Sequence, residues 1–154
     1  MSRKVLISAC VMGQNVRWNG QNKKYDEIRD WAQENDVSLV PVCPENELFG
    51  SPRAAIRLRQ IDDRVAALMK GVDVFDDLTS QCEEITRQHE DAVGFIGIAR
   101  SPTCGISAGV KDRGSTIKAA MHVACNFPTT EINSLKSPKG RDIFLRRIEK
   151  HESR

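Results

Sequence analysis

The sequence predicts an α/β fold: a single domain over residues 1–154, with a mainly parallel, Rossmann-like sheet flanked by helices. Three observations carry this. Val5–Ala9, Val37–Val42 and Val93–Ile98 are short apolar runs of strand length. Segments with apolar residues at helical spacing lie between and after them, and strands alternating with helices build a parallel sheet with crossover helices. A chain of 154 residues buries about two-thirds of its surface on folding, enough for one core between such layers.

The Val5–Ala9 strand delivers Cys10 into a loop rich in Gly, Asn and Gln that runs to Lys23. A loop of that length inside a small domain is usually functional. Lys24–Asn35 reads as a helix, with Tyr25, Ile28, Trp31 and Ala32 at helical spacing. The Val37–Val42 strand delivers Cys43 and stops at Pro44. Pro52-Arg53 suggests a turn, Ile56–Arg59 alternates like a short edge strand, and Val65–Leu68 fits a hairpin piece or a helical turn. Gly71–Val74 reads as a short extended segment. Asp76 is a good N-cap for a helix to about Glu90, with Leu78, Cys82, Ile85 and His89 on one face.

The Val93–Ile98 strand runs into Arg100-Ser101-Pro102-Thr103-Cys104-Gly105, a tight turn set by Pro and Gly. A glycine-containing loop is expected over 105–114, then a helix from Gly114 or Ser115 carrying Ile117, Ala120, Met121, Ala124 and Cys125. Phe127–Thr130 reads as a last short strand. Ser137 followed by Pro138 is an N-cap with proline in the first turn, opening a helix with Phe144, Leu145 and Ile148 inward.

Composition narrows the function classes. The chain has 23 basic and 21 acidic residues, a balance that argues against nucleic-acid or membrane partners. No apolar run approaches the roughly 20 residues that span a bilayer. Arg3-Lys4 before Val5–Cys10 resembles a lipoprotein signal, but its apolar part is shorter than the about 7–15 residues required. A cytoplasmic location is therefore expected. Five cysteines cannot all pair within one chain, and the expected reducing compartment disfavours disulfides. Packing, metal or cluster ligation, and nucleophilic or redox chemistry remain.

Position sorts these cysteines. Cys82 and Cys125 fall on the apolar stripes of expected helices and read as small buried hydrophobes. Cys10, Cys43 and Cys104 each lie just past the carboxyl end of an expected strand, the edge where open parallel sheets bind ligands. Three thiolates suit a soft metal centre, either zinc with three cysteines and a water or an iron–sulfur cluster with one iron left open. Such an iron would act as a Lewis acid toward a soft atom such as a thione sulfur. Glu45, two residues past Cys43, is placed to serve as a general base for water. Ser101 is placed to hydrogen-bond a ring or relay a proton. Arg17 and Lys23, in the first loop, are candidate substrate contacts. Arg53, Arg57 and Arg59 read as an exposed strand face, and His89, His122 and His151 have no metal spacing.

Ile7–Cys10 with Gly13, Val16–Gly20 with Lys23, Val42–Glu45 with Ser51–Arg53, and Arg100–Gly105 together resemble the bacterial 2-thiouracil desulfidase family, over residues 5–105. The resemblance implies a 4Fe-4S cluster held by Cys10, Cys43 and Cys104. It implies hydrolytic, non-redox removal of sulfur from a thiopyrimidine, 2-thiouracil, giving uracil and sulfide. In that picture the open iron binds the thione sulfur, Glu45 activates water and Ser101 assists near the substrate. The sequence departs from the family at Leu48-Phe49-Gly50, where many relatives have Gly-Gly, and after Gly105, where a Tyr-Asp-Gly segment is missing. A three-cysteine zinc hydrolase and a non-catalytic iron–sulfur or thiol redox-sensing module are the alternatives.

Overall fold

The computed structural model describes residues 2–105, 108–110 and 115–153. Its main sheet has four parallel strands: β1 (Arg3–Ser8), β2 (Val37–Val42), β6 (Gly94–Gly97) and β9 (Thr129–Glu131), in the order β2-β1-β6-β9. Helices α1 (Glu27–Glu34), α3 (Phe75–Gln88), α4 (Ala120–Ala124) and α5 (Pro138–Glu152) connect or follow them. The expected α/β class with a parallel sheet and flanking helices is what the chain adopts.

Alternation along β1 divides the core into two layers. Val5 and Ile7 pack with Ile28 and Trp31 of α1 and with Phe144 and Ile148 of α5. Leu6 points to the other face, where Phe95 of β6 meets Cys82 and Ile85 of α3 and Met121 of α4. Both faces of the sheet are thus covered, which is why β1 is apolar almost continuously rather than alternating. Each fully buried side chain, such as Phe144 or Ile148, contributes about 1.5–3 kcal/mol from burial. The N-cap expected at Ser137 is present: its Oγ accepts from Gly140 N at 3.1 Å.

A second sheet is an addition to the sequence reading. Strands β3 (Ile56–Ile61) and β4 (Arg64–Met69) form an antiparallel hairpin, extended by β5 (Val72–Asp73) on one side. On the other side β7 (Ala108–Val110) pairs with β3, and β8 (Ser115–Ile117) pairs with β7. Leu58, Ala67 and Val110 close over Val74 and Leu78 of α3. The Pro44–Phe49 segment, to which the sequence assigns no element, is a short helix, α2.

Several boundaries differ from expectation, and α1 begins at Glu27 rather than Lys24, with Tyr25 ahead of it. The helix expected from residue 114 or 115 begins only at Ala120, because Ser115–Ile117 pairs with β7 instead; Thr116 and Ile117 are β-branched and suit a strand. Cys125 follows α4 in an extended conformation rather than lying inside it. The α3 N-cap is Val74, not Asp76. Of the expected 105–114 loop, Ile106, Ser107 and Lys111–Gly114 lie outside the described residues. Among the described residues, no helix is long and apolar enough to cross a membrane.

Candidate active site

The sequence positions each cysteine by a different local device. After β1 the chain tightens into a 3-10 turn, Ala9–Met12, closed by Gly13 at φ 90°, a conformation that glycine adopts without steric cost. Cys10 is buried in this turn, and its carbonyl accepts from Gly13 N (3.2 Å) and Lys23 N (2.9 Å), pinning both ends of the long loop. After β2, Cys43 is the N-cap of α2, and Pro44 occupies the first helical turn, where a missing N–H does no harm. After β6 the chain needs a longer turn. Arg100 sits at φ 68°, and Ser101 Oγ accepts from the amides of Thr103 (3.4 Å) and Cys104 (3.0 Å).

These three strand ends neighbour one another because β1 lies between β2 and β6. That reversal of strand order opens a crevice at the carboxyl edge of the sheet. A cavity of about 680 Å³ lies there, and Cys10, Cys43, Cys104, Glu45, Ser101 and Arg17 are all in its wall. Residues just past β9, Ile132 and Asn133, complete the same wall.

Burial governs the thiols. It raises Cys10 above the ordinary thiol range, with Arg17 pulling the other way. It pushes Cys43 up to about 11, helped by the charges of Glu45 and Cys10. Cys104 is raised by burial and then by Cys43. Burial thus keeps all three thiols protonated near neutral pH. Among the described residues, no three His, Cys, Asp or Glu side chains stand close enough to hold a single metal ion. The buried Ser8 hydroxyl, near enough to Cys104 to favour its thiolate, has no hydrogen-bond partner of ordinary geometry. Cys82 is fully buried and Cys125 half-buried in the core against α3 and α4, away from the cavity, as expected.

Glu45 sits in the first turn of α2, and its side chain is only 9% exposed. Arg53 Nη2 donates to its Oε2 at 2.9 Å, and Thr103 Oγ1 donates to its Oε1 at 3.0 Å. Thr103 Oγ1 also lies 3.6 Å from Cys104 Sγ. With the threonine proton committed to the carboxylate, the Cys104 thiol is the donor in that contact. The turn carrying Cys104 and the helix following Cys43 are thus joined through Thr103 and Glu45.

Arg53 corrects the sequence reading. Its side chain is 6% exposed and does not belong to an exposed strand face; β3 begins only at Ile56. Its Nη1 donates to the carbonyls of Val16 (2.7 Å) and Gly50 (3.1 Å) and to Ser51 Oγ (2.8 Å). It therefore fastens the first long loop to α2. Arg57 and Arg59 are exposed, as expected. Lys23 is exposed at the cavity rim and Arg17 is half-buried in it. Sequence reasoning missed Arg53, Thr103 and Ser8 as parts of the site. Thr103 had a signal, being adjacent to Cys104; Arg53 had only its place in the Ser51–Arg53 segment.

A family model described as 2-thiouracil desulfurase matches residues 5–135, extending past Gly105, where the sequence resemblance stopped. Among curated proteins nothing matches. Among solved structures, one titled as the 4Fe-4S-dependent thiouracil desulfidase TudS superimposes with a TM-score of 0.64 and 20% identity, covering 88% of this chain and 94% of that one. At that identity the likeness establishes the fold.

Proposed function

The chain belongs to the 2-thiouracil desulfurase family, and we propose that it removes sulfur from a thiopyrimidine such as 2-thiouracil by hydrolysis, in the cavity at the strand ends. The observation that carries this is the convergence there of two buried cysteines, Cys10 and Cys104, the half-buried Cys43 and one buried carboxylate. The whole chain would act as one domain. A reducing compartment such as the cytoplasm would keep its five cysteines free, as they are here.

The residues fit a 4Fe-4S cluster, the cofactor named for the TudS neighbour. Cys10, Cys43 and Cys104 would hold it. Thiols raised by burial need a cation to become thiolates near neutral pH, and the buried Ser8 hydroxyl beside Cys104 favours its thiolate. Bound, the cluster would supply a thiophilic Lewis acid that polarises the thione and accepts sulfur.

The rest of the chemistry belongs to the chain. Exchange of C=S for C=O by water changes no oxidation state, so what is required is a base and a fixed substrate. Each Glu45 oxygen is engaged once and keeps a second lone pair for water. Arg53 and Thr103 fix the carboxylate plane, and Glu45 takes the proton as water attacks the ring carbon. Ser101 uses its oxygen as an acceptor within its turn, which leaves its O–H proton to donate to a ring heteroatom. Arg17 and Lys23 orient the substrate from the opposite loop. A buried carboxylate in the same wall favours an enzyme over a sensing module. Anaerobic reconstitution followed by assay of iron, acid-labile sulfide and 2-thiouracil turnover tests the reading. Iron-bearing protein that releases uracil and sulfide supports it. A chain that takes up no iron, or takes it up without turnover, overturns it.

A further inference from the structure

The three cysteines are not held alike. Cys10 lies inside a 3-10 turn and Cys43 caps a helix, so each is fixed by its own element. Cys104 comes seven positions after Gly97, the last residue of β6, in a turn that includes Arg100 at φ 68°. Ser101 holds the amides of this turn from within, and α4 holds its carbonyls from outside. Three consecutive carbonyls of this turn are taken up by the start of that helix. Met121 N donates to Thr103 O at 2.8 Å and Ala119 N to Gly105 O at 3.0 Å. Between them, His122 Nε2 lies 2.7 Å from Cys104 O.

A carbonyl only accepts, so the imidazole proton is on Nε2. Nδ1 is then a buried acceptor, and among the described residues it has no partner. An apolar residue would fill this place without that loss, so the bond to Cys104 is what the histidine supplies. Its ring is fixed edge-on against Phe95, centroids 5.1 Å apart. Gly97 closes the junction from below: a Cβ there would lie 1.8 Å from Cys104 O and 2.8 Å from His122 Nε2. The strand end, the cysteine carbonyl and the imidazole meet at one point.

We propose that His122 is a positioning residue for the cysteine centre, holding the Cys104 carbonyl so that its sulfur faces the cavity. The inference rests on Cys104 being a cluster ligand, and its test separates the two ideas. His122→Leu removes the donor. His122→Gln keeps an amide N–H at about the Nε2 position. In the reduced, metal-free protein, iodoacetamide labelling is followed by peptide mass at each cysteine, with Cys82 in the core reporting global opening. Loss of one hydrogen bond is expected to speed Cys104 labelling by about three- to ten-fold over Cys82. The Leu variant is also expected to hold less than half the wild-type iron and sulfide after reconstitution, and the Gln variant to restore both readouts.

Equal acceleration at Cys82, no acceleration at Cys104, or a Gln variant no better than Leu overturns the proposal. If the Leu variant fails to fold, His122→Asn, whose amide is too short to reach, makes the same comparison. Selective, Gln-rescued labelling in a protein that takes up no iron would support His122 and overturn the cluster instead.

Discussion

Glu45 is buried, and a buried carboxylate is costly unless something compensates it. Arg53 does so at 2.9 Å. Breaking one partner of a buried pair leaves the other unpaired and costs about 3–5 kcal/mol. Arg53→Met is therefore expected to lower the stability of the metal-free protein by about that much in urea unfolding. Arg53→Met combined with Glu45→Gln should recover the part due to the unpaired carboxylate, but not the part from the lost bonds to Val16, Gly50 and Ser51. If Arg53→Met alone costs under about 1 kcal/mol, the pair behaves as a solvated one. Glu45→Gln alone keeps shape and removes basicity, so kcat should fall by about 10²–10⁴-fold with iron content unchanged. Unchanged turnover would remove Glu45 from the mechanism. The cysteine half of this site was legible in the sequence, since Cys10, Cys43 and Cys104 each follow an apolar run of strand length. The carboxylate's partners were not. Thr103 reaches Glu45 across 58 residues of chain, and neither composition nor spacing encodes such a contact before the sheet brings the turns together.

At the scale of elements, legibility followed self-sufficiency. The strands at Val37–Val42 and Gly94–Gly97 and the helix at Pro138–Glu152 carry their own apolar pattern or caps, and the sequence places them within a few residues. The strand Ser115–Ile117 exists through its pairing with Ala108–Val110, so a local reading assigned it to the following helix. Helix α4 is correspondingly short, and its importance lies in the carbonyls it captures rather than in its length. Gly97 shows how tightly these elements are keyed. The strand passes so close beneath the Cys104 carbonyl that a methyl group has no space, with 1.8 Å to a backbone atom that cannot swing aside. Gly97→Ala must therefore displace the Cys104 turn. Overpacking of this kind costs about 1–3 kcal/mol or more, and iron uptake on reconstitution should fall well below wild type while far-UV circular dichroism keeps its α/β shape. Normal iron content in this variant would show that the turn has slack the geometry does not suggest.

The molecule as a whole couples its folding to protons through the buried thiols. In the metal-free fold Cys43 keeps its proton up to about 11, whereas the unfolded chain releases it near the ordinary value of 9.0. Between those values the folded state binds more protons than the unfolded one, so stability falls as pH rises, by about 1.4 kcal/mol per pH unit for each such thiol. Cys10 and Cys104 shift in the same direction and steepen the decline. Ligation of the proposed cluster by these three would reverse the sign. A thiolate bound in the fold has its pKa driven far below that of the unfolded chain, so below about pH 9 the unfolded state binds the extra protons and stability rises with pH. Urea midpoints measured from about pH 7.5 to pH 10 should therefore be flat and then falling for the metal-free protein. They should rise toward about pH 9 for the anaerobically reconstituted one. Proton release on reconstitution, followed in weak buffer, should approach one per ligating cysteine. Parallel pH profiles for the two forms would mean that these thiols do not bind the centre, whatever the iron content.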